Sequence, residues 1–226
     1  MPVKQIYLTI DDCPSIHMHK KVDILKQKNI PALFYARGEF IDKHPDQIVY
    51  AIKNGFLIGN HSYSHPYFSE IDLAECFDQI TKTEKLIDEC YVRAQISRPH
   101  KVIRFPFGDR GNGGAIAGAK ENLQPEKVKK IQKFVKDNGF VPVNFSSLTN
   151  DYIDSLWNWD TQDYEPKLIQ DSKLYLEQLK EFYNRHSQQS AVILLHDFDN
   201  NHHLFDIAMD FLSSKNITFL EYSINT

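Results

Sequence analysis

The sequence predicts an α/β fold whose parallel β-sheet is closed, or nearly closed, into a barrel. Short apolar runs alternate with longer amphipathic stretches along the chain, a rhythm typical of parallel sheets. Roughly seven such βα units fit into the 226 residues, a length that suits one domain better than two. We therefore expect a single domain over residues 1–226, with an open doubly wound sheet as the alternative arrangement.

Each predicted element has its own pattern. The strand candidates are short apolar runs at residues 6–10, 32–35, 56–58, 102–105, 140–143, 191–195 and 217–220. The helix candidates repeat apolar side chains every three to four residues at residues 73–90, 125–137, 167–183 and 204–213. Residues 108–122 are rich in glycine and polar side chains, which predicts a loop over one end of the sheet.

The composition argues against several kinds of partner. The formal net charge is −4, with no run of lysine and arginine, so we expect no nucleic-acid partner. No stretch approaches the roughly 20 apolar residues of a membrane-spanning helix, and we expect no membrane partner. Residues 1–4 lead straight into a strand pattern rather than a signal peptide, which predicts a cytoplasmic protein or an exported one without its leader. The three cysteines lack C-x-x-C spacing, so neither disulfides nor a cysteine-bound zinc ion is expected.

Two adjacent carboxylates, Asp11 and Asp12, directly follow the first predicted strand. In parallel βα folds, functional side chains collect at the carboxyl ends of the strands. Neighbouring strand residues point in different directions, so one carboxylate could bind a metal ion while the other faces a substrate. Taken alone, the pair is explained equally well by a turn or a helix N-cap.

Two histidines, His61 and His65, follow the third predicted strand. Because they are four residues apart, we expect both imidazoles on one face of a helical turn. Together with Asp12 they would form a three-ligand site with an open position, which is typical of catalytic zinc. A pair with this spacing is more often structural than ligating, but the preceding strand and the following Pro66 favour the metal site.

Later strands end in further polar groups. Arg104 ends the fourth predicted strand, where it could pair with a carboxylate, and the turn after it could present a backbone N–H to an oxyanion. His196 ends the sixth predicted strand, a place suited to a general acid, although a lone histidine is more often simply buried. Residues 160–164 contain carboxylates that could orient an imidazole.

In this order and at this spacing, the five segments resemble the motifs of the polysaccharide deacetylase family, also called the NodB homology or carbohydrate esterase family 4 group. The family motifs are T-F-D-D-G, H-[ST]-x-x-H, R-x-P-[YF]-G, D-x-x-D-W and L-x-H. The matching residues are 9–13, 61–65, 104–108, 160–164 and 194–196. The resemblance spans residues 9–197. It implies a distorted (β/α)7-type barrel and a hydrolase that removes N-acetyl groups from an amino sugar, an oligosaccharide or a polysaccharide and releases acetate.

The resemblance also implies roles for the residues at the first three motifs. Asp11 would be the catalytic base, positioned by Arg104. Asp12, His61 and His65 would bind one divalent metal ion. Zn²⁺ is the expected ion, with Co²⁺, Ni²⁺ and Mn²⁺ as alternatives.

The remaining roles concern the substrate and the leaving group. By the same resemblance, the backbone N–H of Phe107 would stabilise the oxyanion and Leu194 would line a pocket for the acetyl methyl group. Asp163 would tune His196 as the general acid. Tyr164, which replaces the family's tryptophan, would alter the wall of the substrate groove.

A second departure is Cys13, which stands where the family has glycine. We interpret it as packing rather than as an additional metal contact, because small buried cysteines are usually inert. Both departures bear on which substrate is bound.

Several alternatives compete with a sugar deacetylase. The same scaffold could hydrolyse a non-sugar amide or a cyclic imide, or it could be a catalytically silent carbohydrate-binding module, although no expected ligand or base is missing. His17 and His19 offer another metal site, but they lie several residues beyond the first strand. A dinucleotide-binding loop at residues 111–116 is disfavoured, because the last glycine of G-x-G-x-x-G is absent there.

Overall fold

A parallel β-sheet forms the centre of the protein. The computed structural model describes residues 4–113, 124–145, 148, 151–185 and 190–224. Within these residues the parallel strands are β1 (Lys4–Cys13), β2 (Ala32–Ala36), β3 (Leu57–Asn60), β5 (Trp159–Asp160), β6 (Ala191–His196) and β7 (Ile217–Phe219). A separate antiparallel pair consists of β4 (Val143–Asn144) and β8 (Ser223–Ile224).

The first strand organises the sheet. The strand order is β3-β2-β1-β6-β5, and β7 also pairs with β1. Ile6 pairs with Ala191 of β6 and with Phe219 of β7, so β7 lies on the side of β1 opposite β6. Nearly every residue of β1 is buried, which is the pattern of a strand covered on both faces. The carboxyl end of β1 therefore emerges between the ends of its neighbours β2 and β6.

Helices cover the sheet and bury one face each. They are α1 (Met18–Gln27), α2 (Gly38–Lys43), α3 (Pro45–Lys53), α4 (Leu73–Ala94), α5 (Pro125–Asp137), α6 (Pro166–Gln170), α7 (Ser172–Arg185) and α8 (His202–Ser213). The long helix α4 begins where the side chain of Asp72 accepts a hydrogen bond from the Glu75 N–H at 2.8 Å, a typical N-cap. None of the described helices is long and apolar enough to cross a membrane.

The predicted elements differ from the observed ones at four places. Within residues 102–105 only Ile103 forms an isolated bridge instead of a strand, and Pro106, which has no N–H, ends the pairing. The strand expected at 140–143 is reduced to a bridge at Phe140, and Val143 begins the antiparallel strand β4 instead. The helix expected at 167–183 is interrupted at Asp171, whose carboxylate accepts from the N–H groups of Lys173 and Leu174 and so caps a new helix. Helices α1, α2 and α3 and the two-residue strands β5 and β8 have no counterpart among the predicted elements.

The sheet curves toward a distorted barrel. Bridges from Asn60 to Ile103 and from Lys101 to Phe140 continue the parallel pairing beyond β3. Backbone pairing among the described residues does not close the ring, but the Arg104 side chain donates to the carbonyls of Ser155 and Leu156 across the gap. The fold is thus the single α/β domain with a parallel sheet that the sequence predicted.

Candidate active site

The carboxyl end of β1 carries the two predicted aspartates and is irregular. Ile10 pairs with Phe34 and Cys13 with Ala36, so β1 contains one residue more than β2 over this stretch. This is a β-bulge, and within it Asp12 has a left-handed conformation with φ of 57°. In a regular strand the two carboxylates would point to opposite faces, whereas the bulge brings both into one cavity.

Asp11 is held by a buried arginine. Its Oδ1 accepts a hydrogen bond from Arg104 at 2.8 Å, and both side chains are almost completely buried. Other N–H groups of Arg104 donate to Thr9 Oγ1 at 2.9 Å and to the carbonyls of Ser155 and Leu156 at 2.9 and 3.2 Å. The guanidinium is therefore fixed from several sides and orients Asp11 in one direction.

The segment between His61 and His65 is a loop and not the helical turn that we expected. Ser62 and His65 have positive φ values of 61° and 62°. The two residues between them donate their backbone N–H groups to Gln79 Oε1 of α4, at 3.0 and 2.8 Å. The expected geometry was wrong because the spacing does not reveal this contact with a distant helix. The two imidazoles still meet, with ring centroids 4.8 Å apart.

Asp12, His61 and His65 form a compact cluster of three donors. One potential ligand atom from each lies within 4.8 Å of the others. His61 Nδ1–H donates to the Arg104 carbonyl at 2.7 Å, which leaves Nε2, the nitrogen 3.9 Å from Asp12 Oδ1, without a proton. Burial lowers the pKa of both histidines to about 4, and the nearby Arg37 guanidinium contributes to the lowering at His65. Two neutral imidazoles and a carboxylate are a suitable donor set for a divalent ion such as zinc, so these residues fit the expected metal.

His196 lies in the same cavity and has a different partner. Its Nδ1–H donates to Asp163 Oδ1 at 2.7 Å, and its backbone N–H donates to Asp163 Oδ2 at 3.0 Å. Burial acting alone would lower the pKa of His196, but the Asp163 carboxylate reverses the effect and raises it to about 9. A protonated imidazole in this place can serve as an acid.

The cavity has a volume of about 290 Å³. The predicted residues Leu194, Phe107 and Tyr164 form part of its wall; Leu194 is buried, whereas Phe107 and Tyr164 are 38% and 39% exposed. Phe107 stacks on Tyr67 with ring centroids 3.9 Å apart, and the Tyr164 ring meets His196 edge-on with centroids 4.8 Å apart. The mouth of the cavity is therefore aromatic.

Three further residues line the cavity without having been singled out from the sequence: Arg37, Trp157 and Phe198. Arg37 directly follows β2, and its guanidinium lies 3.5 Å from Asp12 Oδ1. A polar residue after an apolar run is the same signal that identified Asp11, so Arg37 could have been found. Trp157 and Phe198 lie in loops next to strand ends, where no sequence pattern marks them.

The alternative metal site is not assembled in the described part of the chain. His17 packs against His202, with ring centroids 4.4 Å apart, while His19 Nδ1 lies 3.2 Å from Gln47 Oε1. Neither histidine belongs to the three-donor cluster found among the described residues. The disfavoured dinucleotide loop at 111–116 and the predicted loop at 108–122 lie partly outside the described residues.

Comparison with known proteins identifies the family. The sequence profile described as "Polysaccharide deacetylase" matches residues 1–122, which is more than half of the 226-residue chain. The chain therefore belongs to the polysaccharide deacetylase family, as its motifs predicted. That residues 1–226 form one catalytic domain of this family stays a prediction.

Two curated relatives carry names that specify a sugar. The chain is 36% identical over 106 residues to a peptidoglycan-N-acetylglucosamine deacetylase of Bacillus cereus, a match covering 46% of this chain and 37% of the relative. It is 32% identical over 89 residues to a chitooligosaccharide deacetylase of Rhizobium leguminosarum bv. trifolii, covering 38% of this chain and 41% of the relative. Each match thus spans less than half of the relative's length.

A solved structure shares the fold over almost the whole chain. Peptidoglycan deacetylase PdaC from Bacillus subtilis aligns with a TM-score of 0.65 at 21% identity, covering 96% of this chain and 87% of that one. At this identity the likeness concerns the fold, which is the distorted α/β barrel of this family.

Proposed function

We propose that this protein is a metal-dependent hydrolase that removes N-acetyl groups from an amino sugar in an oligosaccharide or polysaccharide and releases acetate. One observation carries the proposal: an arginine-held carboxylate, a three-donor cluster and a carboxylate-held histidine meet in one cavity. Hydrolysis of an amide needs a base for water, stabilisation of the oxyanion and an acid for the departing amine. The cavity offers a group for each task.

Asp12, His61 and His65 are the proposed ligands of one divalent ion. Zinc is the ion that we propose, because two neutral imidazoles and a carboxylate suit it; cobalt, nickel and manganese are the alternatives. When bound, such an ion polarises the amide carbonyl and makes a water molecule more acidic.

Asp11 is the proposed base. Arg104 binds its Oδ1, while Oδ2 lies 3.5 Å from His61 Nε2, so the free side of the carboxylate is next to the metal cluster. There Asp11 can accept the proton of the attacking water. Arg104 orients the carboxylate and does not itself contact the reacting atoms.

His196 is the proposed general acid. Because Asp163 raises its pKa to about 9, His196 is protonated at neutral pH and can donate to the amine as the C–N bond breaks. The backbone N–H of Phe107 is the proposed oxyanion donor, a kind of group whose loss typically costs about 3 kcal/mol. Leu194, buried in the cavity wall, would contact the acetyl methyl group.

A carbohydrate is the proposed substrate. Both curated relatives are named for deacetylation of sugars. The cavity volume of about 290 Å³ lies at the small end of ligand pockets, which suits one acetamido group and part of a sugar ring. The exposed rings of Phe107, Tyr67 and Tyr164 provide flat amphipathic surfaces on which neighbouring sugar rings can pack.

Acetate release tests the proposal directly. Chito-oligosaccharides, peptidoglycan fragments and free N-acetylhexosamines would each be incubated with the protein and Zn²⁺, Co²⁺, Ni²⁺ or Mn²⁺. Asp11→Asn should keep its metal but lose most of the turnover, because the near-isosteric amide cannot accept a proton. Asp23→Asn, on the exposed face of α1, is the matched control and should remain active.

Two outcomes would replace the proposal. Hydrolysis of a cyclic imide or a non-sugar amide, without acetate release from any sugar, would favour a different substrate on the same scaffold. Sugar binding by the metal-loaded protein without any hydrolysis would favour a silent carbohydrate-binding module.

A further inference from the structure

A buried network of polar side chains holds the loop after β6 in place. None of its residues has a role in the proposed reaction. The network consists of Ser15, Lys21, Asp197 and Asn201, each less than 5% exposed. Ser15 lies after β1, Lys21 lies in α1, and the other two lie between β6 and α8. Buried polar groups are costly unless their donors and acceptors are satisfied, and here they are satisfied by one another and by the proposed catalytic residues.

Lys21 contacts the backbone of the proposed acid. Its Nζ lies 2.8 Å from Asp197 Oδ1, 3.0 Å from the carbonyl oxygen of His196 and 3.4 Å from Asn201 Oδ1. An ammonium group has three N–H donors, and each has an acceptor here. Asp197 supplies the opposite charge.

Asp197 connects this network to the end of β1. Its Oδ1 and Oδ2 accept from the hydroxyl and the backbone N–H of Ser15, both at 2.7 Å. Its own backbone N–H donates to the carbonyl of Asp11 at 2.8 Å. The strand ends that carry the proposed base and the proposed acid are paired in the sheet, and Asp197 adds a side-chain and backbone connection beyond that pairing.

Asn201 contacts the acid and its partner together. Its Nδ2 lies 3.3 Å from Asp163 Oδ2, 3.3 Å from the Asp163 carbonyl oxygen and 3.2 Å from the His196 carbonyl oxygen. Its Oδ1 accepts from the Phe198 N–H at 3.1 Å and from Lys21. Acceptors on one side of the amide and donors on the other determine which way the amide is oriented.

The contact with Asp163 falls on the oxygen that His196 Nδ1 does not use. Nδ1 of His196 binds Oδ1 of Asp163, whereas Asn201 and the His196 backbone N–H bind Oδ2. Asn201 thus restrains the rotation of the carboxylate without competing for the atom that pairs with the imidazole.

We propose that Asn201 is a positioning residue for the Asp163–His196 pair, held in place by Lys21 and Asp197. The inference rests on the proposed role of His196. A buried ion pair often adds little stability compared with apolar side chains of similar volume. We therefore explain the contacts of this network with His196 and Asp163 by their effect on the orientation of these two side chains rather than by a gain in stability.

Asn201→Ala tests the proposal with two measurements on the zinc-loaded protein. The first needs no turnover: the His196 Nδ1 proton, bound to Asp163, should give a low-field ¹H NMR resonance, identified by its absence in His196→Gln. In Asn201→Ala the carboxylate keeps only the His196 backbone N–H at Oδ2 and is less restrained, so this resonance should broaden or disappear through exchange with water. In the second, deacetylation of an N-acetyl sugar should fall about 10-fold or more, while hydrolysis of an activated aryl acetate, whose leaving group needs no proton, should fall much less.

Leu212→Ala is the matched control. Leu212 is fully buried near the far end of α8, so its truncation destabilises the same helix by leaving a cavity. It should lower the melting temperature while leaving the resonance and the ratio of the two rates unchanged. Asn201→Ser, which keeps a donor and an acceptor, provides the same measurements if Asn201→Ala does not fold.

Two results separate this inference from the proposed function. An unchanged resonance and equal losses on both substrates in the Asn201 variant, with a melting temperature lowered as in the control, would overturn the positioning role. Equal losses on both substrates in His196→Gln would reject the proposed acid, and the resonance in Asn201→Ala would still show whether Asn201 holds the pair.

Discussion

Histidines in two parts of the cavity are buried yet have opposite protonation behaviour. In the metal cluster, burial lowers the pKa of His61 to about 4. Burial would do the same to His196, but Asp163 raises its pKa to about 9. The acceptor at Nδ1 differs: His61 donates to a backbone carbonyl at 2.7 Å, and His196 donates to a carboxylate at the same distance.

The difference shows how one residue type acquires two uses. A carbonyl fixes the tautomer of an imidazole but adds no full charge, and the carboxylates 3.5 and 3.9 Å from His61 Nε2 do not offset its burial. The desolvated ring therefore stays neutral and suits a metal. A carboxylate adds a full negative charge and stabilises the imidazolium, which suits proton donation. Four predictions test this contrast between the two sites.

Removal of the neutral imidazoles should have the largest effect. Wild-type protein should contain about one divalent ion per chain, and His61→Gln, His65→Gln and Asp12→Ala should each lose the ion and the turnover, because three ligands hold it. Elemental analysis after dialysis measures the ion. His19→Gln, at the alternative site, is the control and should keep its metal. Unchanged metal content in all three variants would place the site elsewhere.

Removal of the charged imidazole should affect one class of substrate. His196→Ala should slow deacetylation of an N-acetyl sugar by about 10²–10⁴-fold, the usual contribution of a positioned acid. Hydrolysis of an activated aryl acetate should fall much less, since a phenolate leaves without a proton. Rates on both substrates, together with the metal content of the variant, show whether His196 acts as the general acid. Equal losses with the metal retained would assign His196 to substrate binding or oxyanion stabilisation.

In Asp163→Asn the pKa of His196 should no longer be raised. The change should appear in the pH dependence of the free energy of unfolding of the metal-free protein. The raised pKa of His196 contributes stability that is complete below about pH 6.5 and is lost as the pH rises through about 9. With about 1.4 kcal/mol per pH unit over this range, the contribution is at most about 3.5 kcal/mol. In Asp163→Asn the alkaline loss should disappear.

The loss of stability at acid pH should behave in the opposite way in this variant. Because the pKa values of His61 and His65 are lowered to about 4, they contribute stability above about pH 6.5 that is lost as the pH falls through about 4. This loss should persist in Asp163→Asn and become larger, because without the Asp163 carboxylate burial lowers the pKa of His196 as well. Urea unfolding of chelator-treated protein between pH 4 and 10 measures the loss of stability at acid pH and at alkaline pH. An alkaline loss that persists in the variant would mean that another group causes it.

The smallest effect is expected at Cys13, which directly follows the two aspartates at the end of β1. The residue is completely buried, and burial raises the pKa of its thiol, so the thiol stays protonated and is a poor ligand. Cys13→Gly should therefore change the metal affinity by no more than a few-fold, as measured by competition with a chelator. A loss of affinity far beyond this range would identify Cys13 as a metal contact.

The strands of the buried sheet were mostly predictable from the sequence, whereas the helices α1, α2 and α3 and the two-residue strand β5 were not. The apolar runs of β1, β2 and β6 stand out because these strands are buried on both faces. In contrast, β5 contains two residues and exists through its pairing with Ile193 and Leu194 of β6. Such an element is decided by a tertiary contact and leaves no periodic pattern.

In the candidate active site, too, features set by the local sequence were predictable and features set by tertiary contacts were not. Asp11, His61, Arg104 and His196 lie at or next to the ends of apolar runs, so their positions at one rim could be predicted. The left-handed loop before His65 depends on Gln79, and the Asp163–His196 pair is contacted by Asn201, residues brought in by other segments. Local spacing carries no information about such contacts, which explains why the helical turn was expected wrongly and Asn201 was not identified.

The bulge in β1 makes the number of residues between Ile10 and Cys13 part of the site. Two residues of β1 lie there opposite one of β2, and these two are the aspartates. A substitution in this stretch changes one side chain and leaves the other in place. Loss of one residue would instead make the pairing regular and leave room for one carboxylate at the rim. The presence of both a base and a metal ligand at this strand end therefore depends on the number of residues between Ile10 and Cys13 as well as on their identity.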